Sequence, residues 1–280
     1  MDVLLAALFG LLAGGIVNAL ADDLPTGRRP RLPRYTDGSR RPLLAWLGIG
    51  AFALRLRCPP PSVADNPIYA CRPAFLSWRY PLVELALSAL TTFTYVVARF
   101  RLSLSSEETL IYLIWVVLFV LIAVIDIEHM RISIPPLLAC VMLAVVRALA
   151  FPQSPPTFAS TLAGAFCACV VFSLIYLVGR SFAQLAARRH HQSSPLTALG
   201  RGDVHLMTVG GLIVGFPHAL VVMAMTILLG GIAAAGYMLA KRRSGGYQRF
   251  SAIPYAPCIL AAVYAVLLLR AELSQLIFGL

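Results

Sequence analysis

The sequence predicts an all-α fold, a polytopic membrane helical bundle of seven or eight transmembrane helices with a small irregular cytoplasmic loop region. Three observations predict it. Of the 280 residues, 59% are hydrophobic and 12% charged, against about 25% charged in soluble domains. Apolar stretches recur along the chain, and mean hydropathy is +0.82. Basic residues gather in alternate loops between those stretches.

The apolar stretches are 3–21, 81–98, 109–126, 134–151, 159–178, 204–216, 218–240 and 253–270. About 20 apolar residues cross a bilayer, so seven qualify with tilt and 204–216 is short. The first stretch has no basic segment before it and no convincing small-residue cleavage site after it. It is therefore expected to be a retained helix rather than a signal peptide. Residues 42–54 (PLLAWLGIGAFAL) are apolar but short, which fits an interfacial or buried segment. The expected organisation is a first transmembrane helix at 1–21, a Pro- and Arg-rich cytoplasmic loop region at 22–80, and a helical bundle at 81–280. Within the bundle, 151–157 reads as a short outer turn and 180–200 as a polar, basic loop before Asp203. No internal repeat is evident.

The net charge of +11 raises the question of nucleic acid. Its distribution answers otherwise. Nineteen of the 23 Lys and Arg fall in 22–80, 127–133, 179–203 and 241–250, whereas the opposite loops and tail hold only Arg99, Arg101 and Arg270. This is the positive-inside pattern. It puts the 22–80 loop in the cytoplasm, both termini outside for eight crossings, and the lipid bilayer, not nucleic acid, as the partner of the basic excess. The six cysteines give no disulfide framework. Cys140, Cys167, Cys169 and Cys258 lie in apolar runs as small hydrophobes, and only Cys58 and Cys71 fall in a polar loop.

Twelve acidic residues remain to be placed, and four of them lie on or beside a helix: Glu84, Asp126, Glu128 and Asp203. The loop alternation puts Asp126 and Asp203 on one side of the membrane. A carboxylate inside a bilayer costs about 2.5–3.5 kcal/mol on insertion scales, and less at the edge. Two that share a site do not ionise together easily, so one keeps a proton. The ionised member can take a proton from water, and the protonated one can polarise a carbonyl and protonate a leaving amine. Gly200 and Gly202 flank Arg201 ahead of Asp203, and glycines let a backbone approach closely. On the residues alone a second reading stands beside this one: a glycine loop with Asp203 capping the next helix. Glu128 and His129 read as a solvated helix end, His190 and His191 as loop residues, and His205 as facing either the site or the interface. No histidine spacing forms a metal-ligand set.

At these residues the chain resembles the prepilin peptidases, also called type IV leader peptidases, of the GxGD membrane aspartic proteases. The resemblance runs over nearly the whole length. GLLAGGIVNALADDLP (10–25) is similar to the family opening G-S-F-x-N-V-x-x-x-R-L-P. SWRYPLVELALSAL (77–90) is similar to S-x-R-Y-P-x-V-E-L, and IPYAPCILAA (253–262) to I-P-F-G-P-F. AVIDIEHMRI (123–132) resembles the segment with the first catalytic aspartate, which points to Asp126. GRGDVHLM (200–207) resembles G-x-G-D-x-K-L, which points to Asp203 supported by Gly200 and Gly202.

The resemblance implies a multi-pass enzyme of the bacterial inner membrane with its active site toward the cytoplasm. It implies cleavage after a glycine of the basic leader of type IV prepilins or type II secretion pseudopilins, with no cofactor for the peptidase step. Many members also methylate the new N-terminus from S-adenosylmethionine. The chain departs from the pattern in several places. Cys58-Pro-Pro-Pro61 and Cys71-Arg-Pro-Ala74 each keep one cysteine where the family often has two. Two thiolates are too few for a closed four-ligand site, so no zinc is expected and methylation stays open. Asp23 stands for an Arg, Ser133-Ile134 for Pro-Asp, and His205 for a Lys. Two other readings remain beside the peptidase: a non-catalytic transporter or assembly protein, since intramembrane acids also mark proton paths, and a GxGD protease for other membrane-anchored substrates.

Overall fold

In a computed structural model, residues 2–27, 33, 41, 46–53, 78–189, 200–243 and 254–278 are described. They are helical, with no strand among them. The helices are α1 (Val3–Asp23), α2 (Gly48–Ala53), α3 (Arg79–Val96), α4 (Ser106–His129), α5 (Ile134–Ala150), α6 (Phe158–Arg189), α7 (Arg201–Val214), α8 (His218–Arg243), α9 (Ala256–Leu268) and α10 (Arg270–Phe278).

Each of the eight apolar stretches is helical. Five helices are long and apolar enough to cross a membrane: Val3–Asp23, Arg79–Arg101, Ser106–His129, Phe158–Leu185 and His218–Lys241. A sixth crossing is possible if α9 and α10, bent by 78° at Leu269, count as one broken span. The seven or eight crossings expected from the sequence are not matched by helix length. At 17 and 14 residues, α5 and α7 fall short of the roughly 30 Å hydrocarbon thickness at 1.5 Å per residue. The 180–200 loop expected from composition is corrected in its first half: α6 continues through Arg189, because 180–189 holds good helix formers and no Pro or Gly. Cys58, Cys71, His190 and His191 lie outside the described residues.

The chain forms two compact units, 1–121 and 122–280. In the first, α1 packs along α3, burying Gly10, Ala13, Gly14 and Val17 on that face. Small residues allow the close approach, and polar side chains then bond across it. Ser88 Oγ donates to the Ala7 carbonyl at 2.9 Å, and Asn18 Nδ2 to the Tyr80 carbonyl at 3.0 Å. Glu84 is fully buried on α3. Its two oxygens accept the N–H groups of Gly48 (2.6 Å) and Ile49 (2.9 Å), which belong to the first turn of α2. Early helical amides have no partner inside their own helix, so the buried carboxyl supplies one. At the end of the helix pair, Asp22 of α1 holds both Arg79 and the Tyr80 hydroxyl of α3, and the Tyr80 ring has the guanidinium groups of Arg41 and Arg79 over it, 4.6 and 4.3 Å from its centre.

In the second unit, α7 is the central helix and packs against α5, α6, α8 and α9. Its buried side reads Leu206, Met207 and Val209 through Val214, so a helix too short to cross the bilayer is stabilised by protein on several sides. Against α6 the approach is backbone to backbone: a Cβ on Gly164 would collide with the Gly211 carbonyl, and the reverse also holds. At the far end of α7, the Phe216 N–H donates to the Ser160 carbonyl (2.9 Å) and Ser160 Oγ to the Phe216 carbonyl (2.6 Å). Those contacts fix α7 along α6 and therefore fix where its first turn, carrying Asp203, must lie.

Candidate active site

Asp126 sits one turn from the C-terminal end of α4 and is 5% exposed. The helix ends through Met130, whose N–H donates to the Asp126 carbonyl (2.8 Å) and whose φ of +50° is left-handed. That conformation turns the chain off the helix, and Ser133 and the Pro135-Pro136 pair start α5. Glu128 and His129 are exposed at this end, as a solvated helix terminus requires.

Asp203 occupies the third position of α7. Its Oδ2 accepts the Gly200 N–H at 2.9 Å, so the helix-cap reading is correct as far as one oxygen goes. A carboxylate in a first turn also meets the positive end of the helix dipole. Gly200 bends close over this carboxyl: a Cβ there would stand 3.2 Å from Oδ2. Gly202 faces Ile132, from the α4–α5 turn, with 3.1 Å left between a Cβ and the Ile132 side chain. Gly202 therefore lets the turn after Asp126 pack onto the turn that bears Asp203. Arg201 Nε donates to Tyr176 Oη on α6 (3.2 Å). His205 is exposed.

The two carboxyls converge on the start of α9. The Ala256 N–H donates to Asp126 Oδ2 at 3.0 Å. Tyr255, the preceding residue, lies within electrostatic reach of Asp203, and its phenol is pushed up to about 12 by burial, then by Cys258 and Asp203. Asp203 lies outside the five long crossing segments. Its carboxyl is raised from the usual 3.8 to about 6, first by burial and also by the negative charge of Asp126, against the lowering effect of the Gly200 amide. The charge of Asp126 is thus felt at Asp203. Each acid gives one oxygen to a backbone amide, and the other makes no hydrogen bond among the described residues. Such a pair can hold one proton between two carboxyls and present free oxygens to a water and a carbonyl.

The sequence reading named both aspartates and the glycines. It did not find the Ala256 amide, because a backbone donor carries no side-chain signature; the only signal was the Pro254–Pro257 frame of IPYAP, which marks a helix start. Among the described residues no group of three or more His, Cys, Asp or Glu is placed to hold a metal.

The model of the type IV leader peptidase family matches residues 111–235, a segment containing Asp126, Gly200, Gly202 and Asp203. A curated relative, the prepilin leader peptidase/N-methyltransferase of Myxococcus xanthus (strain DK1622), is 28% identical over 249 residues. That match covers 84% of this chain and 63% of the relative, so the chain spans less than two thirds of that protein's length. No solved structure matches the chain. Residues 111–235 are thus similar to the type IV leader peptidases, and most of the chain is similar to one prepilin leader peptidase/N-methyltransferase.

Proposed function

We propose that this membrane protein is an aspartic endopeptidase that removes the leader of type IV prepilin or pseudopilin precursors on the cytoplasmic side of the bacterial inner membrane. The match of residues 111–235 to the type IV leader peptidase family supports peptidase activity. The observation that carries the aspartic mechanism is that Asp126, bonded at the start of α9, lies near enough to Asp203, on α7, for its charge to act on that carboxyl. In this reading the ionised carboxyl takes a proton from water as its oxygen attacks the glycyl carbonyl. The protonated carboxyl donates to that carbonyl oxygen. The C–N bond of the tetrahedral intermediate then breaks as the leaving amine gains a proton from the pair. The bell-shaped rate profile expected of such a pair belongs to both residues jointly. The basic loops orient the bundle with both acids toward the cytoplasm, and the lipid bilayer presents the anchored substrate.

Methyl transfer from S-adenosylmethionine forms no part of this mechanism. Among the described residues of 1–121, Glu84 accepts from the Gly48 and Ile49 amides and the Asn18 amide donates to the Tyr80 carbonyl. Zinc binding turns on Cys58 and Cys71, outside the described residues.

Asp126→Asn and Asp203→Asn, each co-expressed with a prepilin, test the proposal. Each is expected to slow cleavage by about 10²–10⁴-fold, the usual worth of a proton-transferring group. Full processing by either variant would falsify the mechanism. Mass spectrometry of the product's N-terminus reads the cut site and any added methyl group in the same sample.

A further inference from the structure

Tyr255 takes no part in the chemistry above, yet three of its groups are fixed. Its Oη donates to the Thr226 carbonyl on α8 at 3.3 Å. Its ring fills the space over Gly230: a Cβ at Gly230 would collide with Cε2 and stand 3.1 Å from Cζ and Oη. Thr226 and Gly230 are four apart and share one face of α8. The Tyr255 carbonyl accepts the N–H groups of Cys258 (3.0 Å) and Ile259 (3.3 Å), closing the first turn of α9. The next amide along, Ala256, is the first of α9 and has no partner within its own helix. It is buried and donates to Asp126.

We propose that Tyr255 is a positioning residue of the peptidase: its side chain pins the start of α9 to α8 and so holds the Ala256 amide on Asp126. The inference rests on the reading of Asp126 as a catalytic carboxyl. The ring, wedged at Gly230, supplies most of the constraint, and the long hydroxyl bond the smaller share. Losing the ring frees the turn, and a misplacement of about 1 Å in a catalytic group costs about 10²-fold in rate. The Tyr255 side chain is engaged with Thr226 and Gly230 of α8, so the loss is expected in kcat.

The test is steady-state cleavage of a purified prepilin by the full-length protein in detergent, with kcat and KM resolved. Tyr255→Ala is expected to lower kcat by about 10–100-fold with KM within about 2-fold, and Tyr255→Phe to restore kcat to within about 3-fold. Gly230→Ala, which displaces the ring while leaving Tyr255 in place, is expected to reproduce the kcat loss and serves if Tyr255→Ala does not fold. Wild-type kcat in both ring-disturbing variants, or a loss confined to KM, overturns the proposal. Asp126→Asn run alongside separates the two ideas. If it is inactive while Tyr255→Ala is not impaired, only the positioning role fails. If Asp126→Asn cleaves normally, the peptidase reading fails and this inference with it.

Discussion

At the scale of the residue, Asp203 carries two roles on one carboxyl, and its two oxygens divide them. Oδ2 closes the first turn of α7 on the Gly200 amide, and Oδ1 is left for the proposed chemistry. Its carboxyl is raised to about 6, first by burial, so in the proposed mechanism Asp203 is the expected proton holder of the pair. The sign follows from linkage: a carboxyl whose folded value lies above its unfolded value binds its proton more tightly when folded. The associated stability is fully present below the ordinary 3.8 and is lost as pH rises through about 6. For catalysis the consequence is a basic limb in the rate profile centred near about 6 rather than near the usual aspartate value. Cleavage rates measured from about pH 5 to about pH 8 decide it, since a steady rise across that range removes the proton-holding role from Asp203. Asp126, Asp203, Gly200 and Gly202 were legible in the sequence because side-chain chemistry and glycine spacing are written there. Which oxygen meets which amide was not, since the Ala256 donor comes from a helix more than a hundred residues away along the chain.

At the scale of the element, the sequence located every apolar helix but not what ends or joins them. It placed Glu84 beside a helix without a task. The carboxyl is buried and serves as the acceptor for the first turn of α2, 35 and 36 residues away. A buried amide stripped of its acceptor costs about 1–3 kcal/mol, and Glu84→Ala strips two. The expected result is a clear fall in the thermal midpoint of the detergent-purified protein, with Glu84→Gln, which keeps one acceptor, falling between it and wild type. Equal midpoints for all three proteins would mean that the α2 contact adds nothing to stability. Helix α7 teaches the complementary lesson. Its 14 residues look like an incomplete crossing in sequence, and only packing against α5, α6, α8 and α9 explains why so short an apolar helix is retained.

At the scale of the whole molecule, basic-loop alternation predicts that the ends of α4 and α7 bearing the two aspartates face the cytoplasm, opposite the turn at 151–157. In a background lacking the native cysteines, His129→Cys and His205→Cys, both at exposed positions, are expected to react with a membrane-impermeant maleimide only once the cytoplasmic face is opened. Gln153→Cys, also exposed, is expected to react from outside in intact cells. The opposite pattern would invert the topology and remove the substrate leader from reach. The length of α6 bears on the same question. Arg201 meets Tyr176, eighteen residues from the start of α6, or about 27 Å along its axis. That is close to the thickness of the bilayer's hydrocarbon core, so a bilayer entered at the start of α6 would leave the first turn of α7 at its far boundary. Helix α6 then continues thirteen residues past Tyr176, about 20 Å, to Arg189. It forms a post beside the carboxyls as tall as about six residues of extended peptide. Under the proposed peptidase reading, a leader shorter than that would stay within the shadow of the post for its whole length, so leader length, as well as the residue at the cut, would become a dimension of discrimination.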